Sequence, residues 1–264
     1  MRVTYRSRGV KEYWAKRWAG IPADQPMQNR DAYPLKYAEM VVVDTNRRIL
    51  EAGCGAGRIL RYYHERGFDI VGIDYIEGAV EKLRQIDASL QVEVGDITQL
   101  RFPDRNFGVV LAFGLYHNLE HGLEQAISET RRVLTKDGLV CASFRADNLQ
   151  TRLTDWLAAR RAGANATHSG ARSFHKLNLT RAEYEQLFSQ AGFEVRAVYP
   201  VENMPILYKF AFFRASDHKV FDENKARKEG YRLSWLGQRL QNFLMRVAPD
   251  QFCNIYVLIA RRVD

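Results

Sequence analysis

A short apolar run that ends in a glycine-rich turn and resumes as a helix constrains this chain more than any other feature. Residues 48–52 read as a strand, Gly53-Cys54-Gly55-Ala56-Gly57 as a tight loop, and residues 57–65 as the helix that follows. Glycine carries no Cβ, so the backbone can turn sharply here and approach a ligand closely. A helix that starts at such a loop aims its free N–H groups at whatever binds there.

The same alternation continues. Residues 69–73 make a second strand and 77–86 a second helix, and 90–94 make a third strand. Residues 107–113 form a fourth strand, apolar enough to be buried on both faces. A helix over 119–134 stops near Asp137-Gly138, and 139–144 form a fifth strand. Strand–helix alternation at this spacing predicts an α/β, doubly wound, mostly parallel Rossmann-like sheet. Ligands of such sheets bind at the carboxyl ends of the strands, where strand order reverses.

At 264 residues the chain suits one large domain, or one domain with insertions. No apolar run approaches the ~18 residues that span a bilayer. The N-terminal residues lack the apolar core of a signal peptide, so the cytoplasm is the expected location. Cys54, Cys141 and Cys253 show no metal-ligand spacing, and neither a metal nor a disulfide framework is expected. The net charge of +8 is spread over the N-terminus (Arg2, Arg6, Lys11, Lys16, Arg17) and the second half (Arg160, Lys176, Lys225, Lys228), without a run of five basic residues. A solvated basic face is one reading; an anionic substrate, a membrane surface or nucleic acid are the others.

The loop spacing separates two ligand classes. A dinucleotide fingerprint, G-x-G-x-x-G, would need glycine at position 58, where this chain has Arg58. A pyrophosphate would be poorly served by Glu51 beside the loop. A ligand without phosphate that carries a sulfonium and an ammonium favours that carboxylate. On these residues the chain resembles the class I S-adenosylmethionine-dependent methyltransferase family, of small-molecule type.

The resemblance extends well past the loop. Asp74, at the end of the second strand, looks like the family's ribose-binding acid, with Tyr75 beside it. Gly95-Asp96-Ile97 resembles the adenine-binding segment, the Asp96 carboxylate accepting from the exocyclic amine and the Ile97 amide addressing the ring. Phe113 and the loop Gly114-Leu115-Tyr116-His117-Asn118 match the strand end that lines the methionine moiety and the substrate pocket. Residues 131–139 resemble the turn into strand five, with Thr-Lys-Asp-Gly in place of the usual proline and glycines. Thr180-Arg181-Ala182-Glu183 is a capping box opening a helix, followed by Gly192-Phe193 and a sixth strand. The resemblance implies a seven-stranded sheet with an antiparallel last strand near 252–260 and helical insertions covering the carboxyl edge. It also implies S-adenosyl-L-methionine as cofactor, S-adenosyl-L-homocysteine as product, and cofactor contacts from Glu51, Gly53, Cys54, Gly55 and Gly57.

Methyl transfer mainly requires alignment of the acceptor. A base is needed only where the acceptor holds a proton it will not lose unaided. His117 is the candidate base, against a packing or helix-capping role. Tyr116 is a candidate for orienting the acceptor or stacking on the sulfonium. Tyr13 and Trp14 resemble N-terminal segments that fold over the cofactor, against simple docking of a helix on the core. The expected organisation is a helical lid over 1–46, a cofactor-binding core over 47–200 with an insertion at about 146–179 containing His168 and His175, and a helical cap with the final strand over 201–264. Within the cap, Leu233, Leu236, Leu240, Phe243, Leu244 and Val247 recur at helical spacing, and Arg232, Arg239 and Arg246 form one basic stripe. Such a helix usually packs its apolar face on the domain; its stripe could also meet anionic lipid or a partner. The aromatic run 204–213 could line an acyl or aromatic pocket.

The expected function is methyl transfer to an oxygen or carbon of a small-molecule or biosynthetic acceptor, with lipid-linked and glycan acceptors included. An RNA methyltransferase and a non-catalytic cofactor-binding module are the alternatives. The chain has no D-P-P-Y or N-P-P-Y motif for a flipped base.

Overall fold

Short apolar runs that are buried on both faces have nowhere to pair except beside one another under flanking helices, and this governs the centre of the molecule. The computed structural model describes residues 1–6, 9–21, 23, 26–163, 173–220 and 230–264. His168, Lys225 and Lys228 lie outside the described residues. The first half comprises β1 (Arg2–Arg6), α1 (Val10–Gly20), α2 (Leu35–Ala38), β2 (Ile49–Ala52), α3 (Arg58–His64), β3 (Ile70–Asp74), α4 (Glu77–Ile86), β4 (Val92–Val94) and β5 (Phe107–Ala112). There follow α5 (Leu123–Val133), β6 (Leu134–Arg145), α6 (Leu149–Gly163), β7 (Ser173–Asn178), α7 (Arg181–Gln190) and β8 (Phe193–Val201). The chain closes with α8 (Trp235–Val247), α9 (Pro249–Phe252) and β9 (Ile255–Arg262).

The main sheet has seven strands in the order β4-β3-β2-β5-β6-β9-β8. The pairs from β4 to β6 are parallel, and β9 runs antiparallel between β6 and β8. The expected Rossmann-like α/β sheet with an antiparallel last strand is therefore present. Strand order reverses between β2 and β5, which puts the ligand crevice at their carboxyl ends. Helices cover both faces, with Ile127, Phe144, Tyr184 and Phe188 in one core and Leu35, Tyr63 and Leu83 in the other.

Several boundaries differ from expectation for local reasons. Helix α5 begins at Leu123 rather than 119, because Tyr116–Asn118 forms a 3-10 turn and Gly122 takes a left-handed φ of 75°. Strand β9 begins at Ile255 because Pro249 opens a single helical turn. The Thr180–Glu183 capping box forms reciprocally: the Thr180 amide donates to Glu183 at 2.8 Å, and the Glu183 amide donates to Thr180 Oγ1 at 3.3 Å. The segment expected as a helical lid also supplies β1, which pairs antiparallel with β7 as a second, two-stranded sheet. Sequence periodicity does not reveal that pairing, since Arg2 meets Asn178 across most of the chain. Among the described residues no helix is long and apolar enough to cross a membrane.

Candidate active site

A cavity of about 2530 Å³ runs along the carboxyl edge of the sheet and is roofed by α1, α6, β7 and the 200–206 segment. Its floor begins at the glycine loop. Gly53, Gly55 and Gly57 all take left-handed φ values, of 73°, 53° and 67°. The Gly53 and Cys54 amides donate to the Ile73 carbonyl at 2.8 and 3.0 Å, fastening the loop to β3. Two glycines are required by near contacts as well as by φ. A Cβ on Gly57 would stand 2.5 Å from Leu83 of α4, and one on Gly55 would stand 2.5 Å from the Trp18 ring. Gly57 thus serves helix packing, and Gly55 lies under the indole of Trp18 rather than lining the cavity.

Asp74 ends β3 beside this loop. Its carboxylate accepts from the Gly55 amide at 2.8 Å and the Ile76 amide at 2.9 Å. Burial pushes its pKa up, and those two amides oppose the shift. Glu51 is buried as well: desolvation lifts its carboxyl to about 8, with the Leu60 amide and Arg58 working against it. Glu51 lines the cavity, and its Oε2 is buried without a hydrogen-bond partner among the described residues. Arg58, the first residue of α3, also lines the cavity. No hydrogen bond or ion pair ties its guanidinium to a described residue, and burial lowers its pKa while Tyr33 and Glu51 hold it up.

Asp96 stands at the cavity rim, where its Oδ1 accepts from the Thr98 amide and hydroxyl, each at 2.8 Å. Ile97 is buried behind it. Phe113 lines the cavity and meets Tyr33 edge-on at 5.8 Å. Tyr75 is exposed, with the Lys11 ammonium 4.8 Å above its ring. Trp14 of α1 lines the cavity and stacks on Trp18 at 5.3 Å. Tyr13 accepts from Arg17 at 3.0 Å and is not among the lining residues. Lys82 of α4 donates to the Ile21 carbonyl at 2.7 Å, anchoring the end of this segment.

The two residues expected to carry chemistry part company. Tyr116 is wholly buried, its hydroxyl 2.7 Å from Thr130 of α5 and its ring against Phe188, and it does not line the cavity. The 3-10 turn rotates it into the core, which corrects the expectation that it faces the acceptor. His117, the next residue, does line the cavity. Burial drives its imidazole well below the ordinary value, and the positive charges of Lys176, Arg145 and His175 push the same way. Its Nδ1 has no hydrogen-bond partner among the described residues.

Two residues of this site, Arg58 and Glu202, were not assigned to it by sequence reasoning. Glu202 follows β8 immediately, lines the cavity and accepts from Gln241 at 2.7 Å. Burial lifts its carboxyl to about 7. The signal was an acid at the carboxyl end of a strand, the rule that identified Asp74.

A family model described as "Methyltransferase domain" matches residues 50–142. A protein of Mycolicibacterium smegmatis named "Probable S-adenosylmethionine-dependent methyltransferase" is 31% identical over 151 residues, 56% of this chain and 52% of that protein. The chain thus spans about half the length of that relative. A malonyl-[acyl-carrier protein] O-methyltransferase of Geobacter sulfurreducens is 26% identical over 210 residues, 78% of this chain and 76% of that one. Among solved structures, an S-adenosylmethionine-dependent methyltransferase of Methanosarcina mazei superposes with a TM-score of 0.58 at 15% identity, covering 88% of this chain and 98% of its own. A structure titled as the [4+2]-cyclase SpnF superposes at 0.53 and 18% identity, covering 96% and 93%. At such identities these superpositions show the fold alone.

Proposed function

We propose that the chain, whose residues 50–142 match a methyltransferase domain, is a class I S-adenosylmethionine-dependent methyltransferase that moves a methyl group to an oxygen or carbon of a small-molecule or biosynthetic acceptor. The observation that carries this reading is the buried Glu51 Oε2, which lines the cavity without a hydrogen-bond partner among the described residues, beside Arg58, which likewise has no hydrogen bond or ion pair to a described residue. At the end of β2 and the start of α3, an ionised Glu51 carboxylate, which only accepts, and a guanidinium, which only donates, suit the ammonium and carboxylate of an amino-acid moiety. When bound, S-adenosylmethionine supplies a methyl group on a sulfonium sulfur, already activated by its leaving group.

In this reading Glu51 and Arg58 hold the amino-acid end, Asp74 the ribose hydroxyls, and Asp96 with the Ile97 amide the adenine. Tyr75, Phe113 and Trp14 close around them, and the glycine loop sets the floor. The remaining cavity, between His117 and Glu202, receives the acceptor. Orientation there supplies roughly 7–11 kcal/mol of the catalytic effect that effective molarity allows. Two residues can take a proton from the acceptor. His117 keeps a neutral imidazole throughout the neutral range, whereas Glu202, at about 7, matches the operating pH that favours a general base.

Calorimetric titration with S-adenosylmethionine, followed by incubation with the labelled cofactor and a cell extract, tests the reading. Binding together with a labelled low-mass product and released S-adenosylhomocysteine supports it. Failure to bind the cofactor overturns it.

A further inference from the structure

Helix α8 is amphipathic in the reverse of the usual sense. A helix packed on a domain turns its large apolar side chains inward. Here Trp235 is 71% exposed, Phe243 60% and Val247 65%, with Leu236 and Leu240 exposed beside them. The side facing the protein carries Gly237 and Gln241, both buried. Gly237 permits close approach, since a Cβ there would stand 2.7 Å from the Phe213 carbonyl. The expectation that this apolar set packs on the domain is therefore corrected in part: Leu233 is buried and Leu244 half-buried, but Leu236, Leu240, Phe243 and Val247 point outward.

The outward arc has a definite charge. Arg239 and Arg246 fall between Trp235 and Phe243 on the same face, with Arg239 stacked over the Trp235 ring at 4.7 Å. The helix contains no acidic residue. The 3-10 turns Ile206–Lys209 and Ala211–Phe213 pack beside it and add the exposed Phe210 and Phe212, the latter 76% exposed. An exposed apolar band with aromatic rings suits a membrane interface, and arginines within it can bury their stems while their guanidinium groups reach the lipid phosphates. A second copy of the chain fits less well, because a two-fold contact would bring each arginine pair against another with no acid on the helix to balance it.

We propose that α8 and the adjoining Phe210–Phe212 turn dock on an anionic lipid bilayer, with α8 lying in the headgroup plane. The cavity adjoins the elements that carry this surface, since Gln238 of α8 and Lys209 of the neighbouring turn both line it. This inference goes beyond the methyl-transfer reading and does not depend on it.

The test is co-sedimentation of the full chain with phosphatidylcholine vesicles, with and without phosphatidylglycerol. The chain should sediment with the anionic vesicles, and salt should weaken the association. Changing Arg239→Glu and Arg246→Glu together should lower partition by more than about tenfold. Phe243→Glu should lower it by about tenfold or more. Both changes are at exposed positions, and unchanged circular dichroism checks that the fold survives. Absence of sedimentation with anionic vesicles overturns the proposal. So does a concentration-dependent dimer, dispersed by Phe243→Glu, in a chain that ignores vesicles. A chain that sediments with anionic vesicles but binds no S-adenosylmethionine upholds this surface and removes only the methyl-transfer reading.

Discussion

The two ends of the cavity are built differently. At the glycine loop, neighbouring elements settle nearly every contact: Gly53 and Cys54 hang from Ile73, Asp74 holds Gly55 and Ile76, and Gly57 seats Leu83. At the other end the side chains come from distant segments. Arg2 of β1 donates to Asp147 at 2.6 Å and Asp155 at 2.9 Å, and Arg145 reaches Asp155 at 2.6 Å. His117 lies within the field of Lys176 and His175 on β7. The first end is held by contacts between neighbouring elements; the second is assembled by ion pairs between remote ones, and under the proposed function they receive the methyl donor and the acceptor respectively. Changes at the loop should therefore alter donor affinity, and changes at the far end should alter turnover.

The sharpest division comes from the proposed base. Glu202→Gln should cut turnover by roughly 10²–10⁴ and leave donor affinity intact. In the native chain the rate should rise with pH through about 7 as Glu202 loses its proton, then level off. His117→Gln should have that effect instead if the loop after β5 supplies the base, and then no inflection should appear in the neutral range. A pH–rate profile of each variant separates the two.

Asp74→Ala should weaken S-adenosylmethionine binding by roughly 10–100-fold, the scale of a lost charged hydrogen bond. It also strips the Gly55 and Ile76 amides of their acceptor. Equal affinity in a calorimetric titration would remove the ribose assignment.

Gly57→Ala should destabilise the fold by about 1–3 kcal/mol, since a left-handed φ and the Leu83 side chain both oppose a Cβ. Urea unfolding measures it. A smaller loss would mean that α4 yields and the loop is softer than its contacts indicate.

The smallest effect concerns Glu51. Its folded pKa, about 8, lies above its ordinary value, so its contribution to stability is complete below that ordinary value and is lost as pH rises through about 8. Glu51→Gln should flatten that decline in a thermal melt. A cationic ligand group prefers the ionised carboxyl, so donor affinity should rise with pH over the same window and binding should release protons. Calorimetry in buffers of different ionisation enthalpy detects that release.

Much of the fold was legible because parallel strands buried on both faces and a glycine loop leave local signatures, as residues 48–57 and 107–113 do. The capping box at Thr180 was legible for the same reason, whereas the antiparallel direction of β9 came from the family resemblance alone. The β1–β7 sheet was not, since neither strand signals a partner so far away. The candidate site divides along the same line. Glu51, Asp74 and Asp96 follow from strand ends, whereas the rotation of Tyr116 into the core depends on how one 3-10 turn packs against Thr130 and Phe188.

By itself, the order of residues determined a doubly wound sheet and a loop suited to a cationic, phosphate-free ligand, because glycine spacing and a neighbouring carboxylate act within a few residues. Only the tertiary structure decided that Glu51 Oε2 and Arg58 share one cavity without a hydrogen-bond partner among the described residues, that Glu202 enters it, and that α8 turns its aromatic face outward. Burial and unpaired polar atoms are properties of what surrounds a residue, and those surroundings come from segments the chain brings together only on folding.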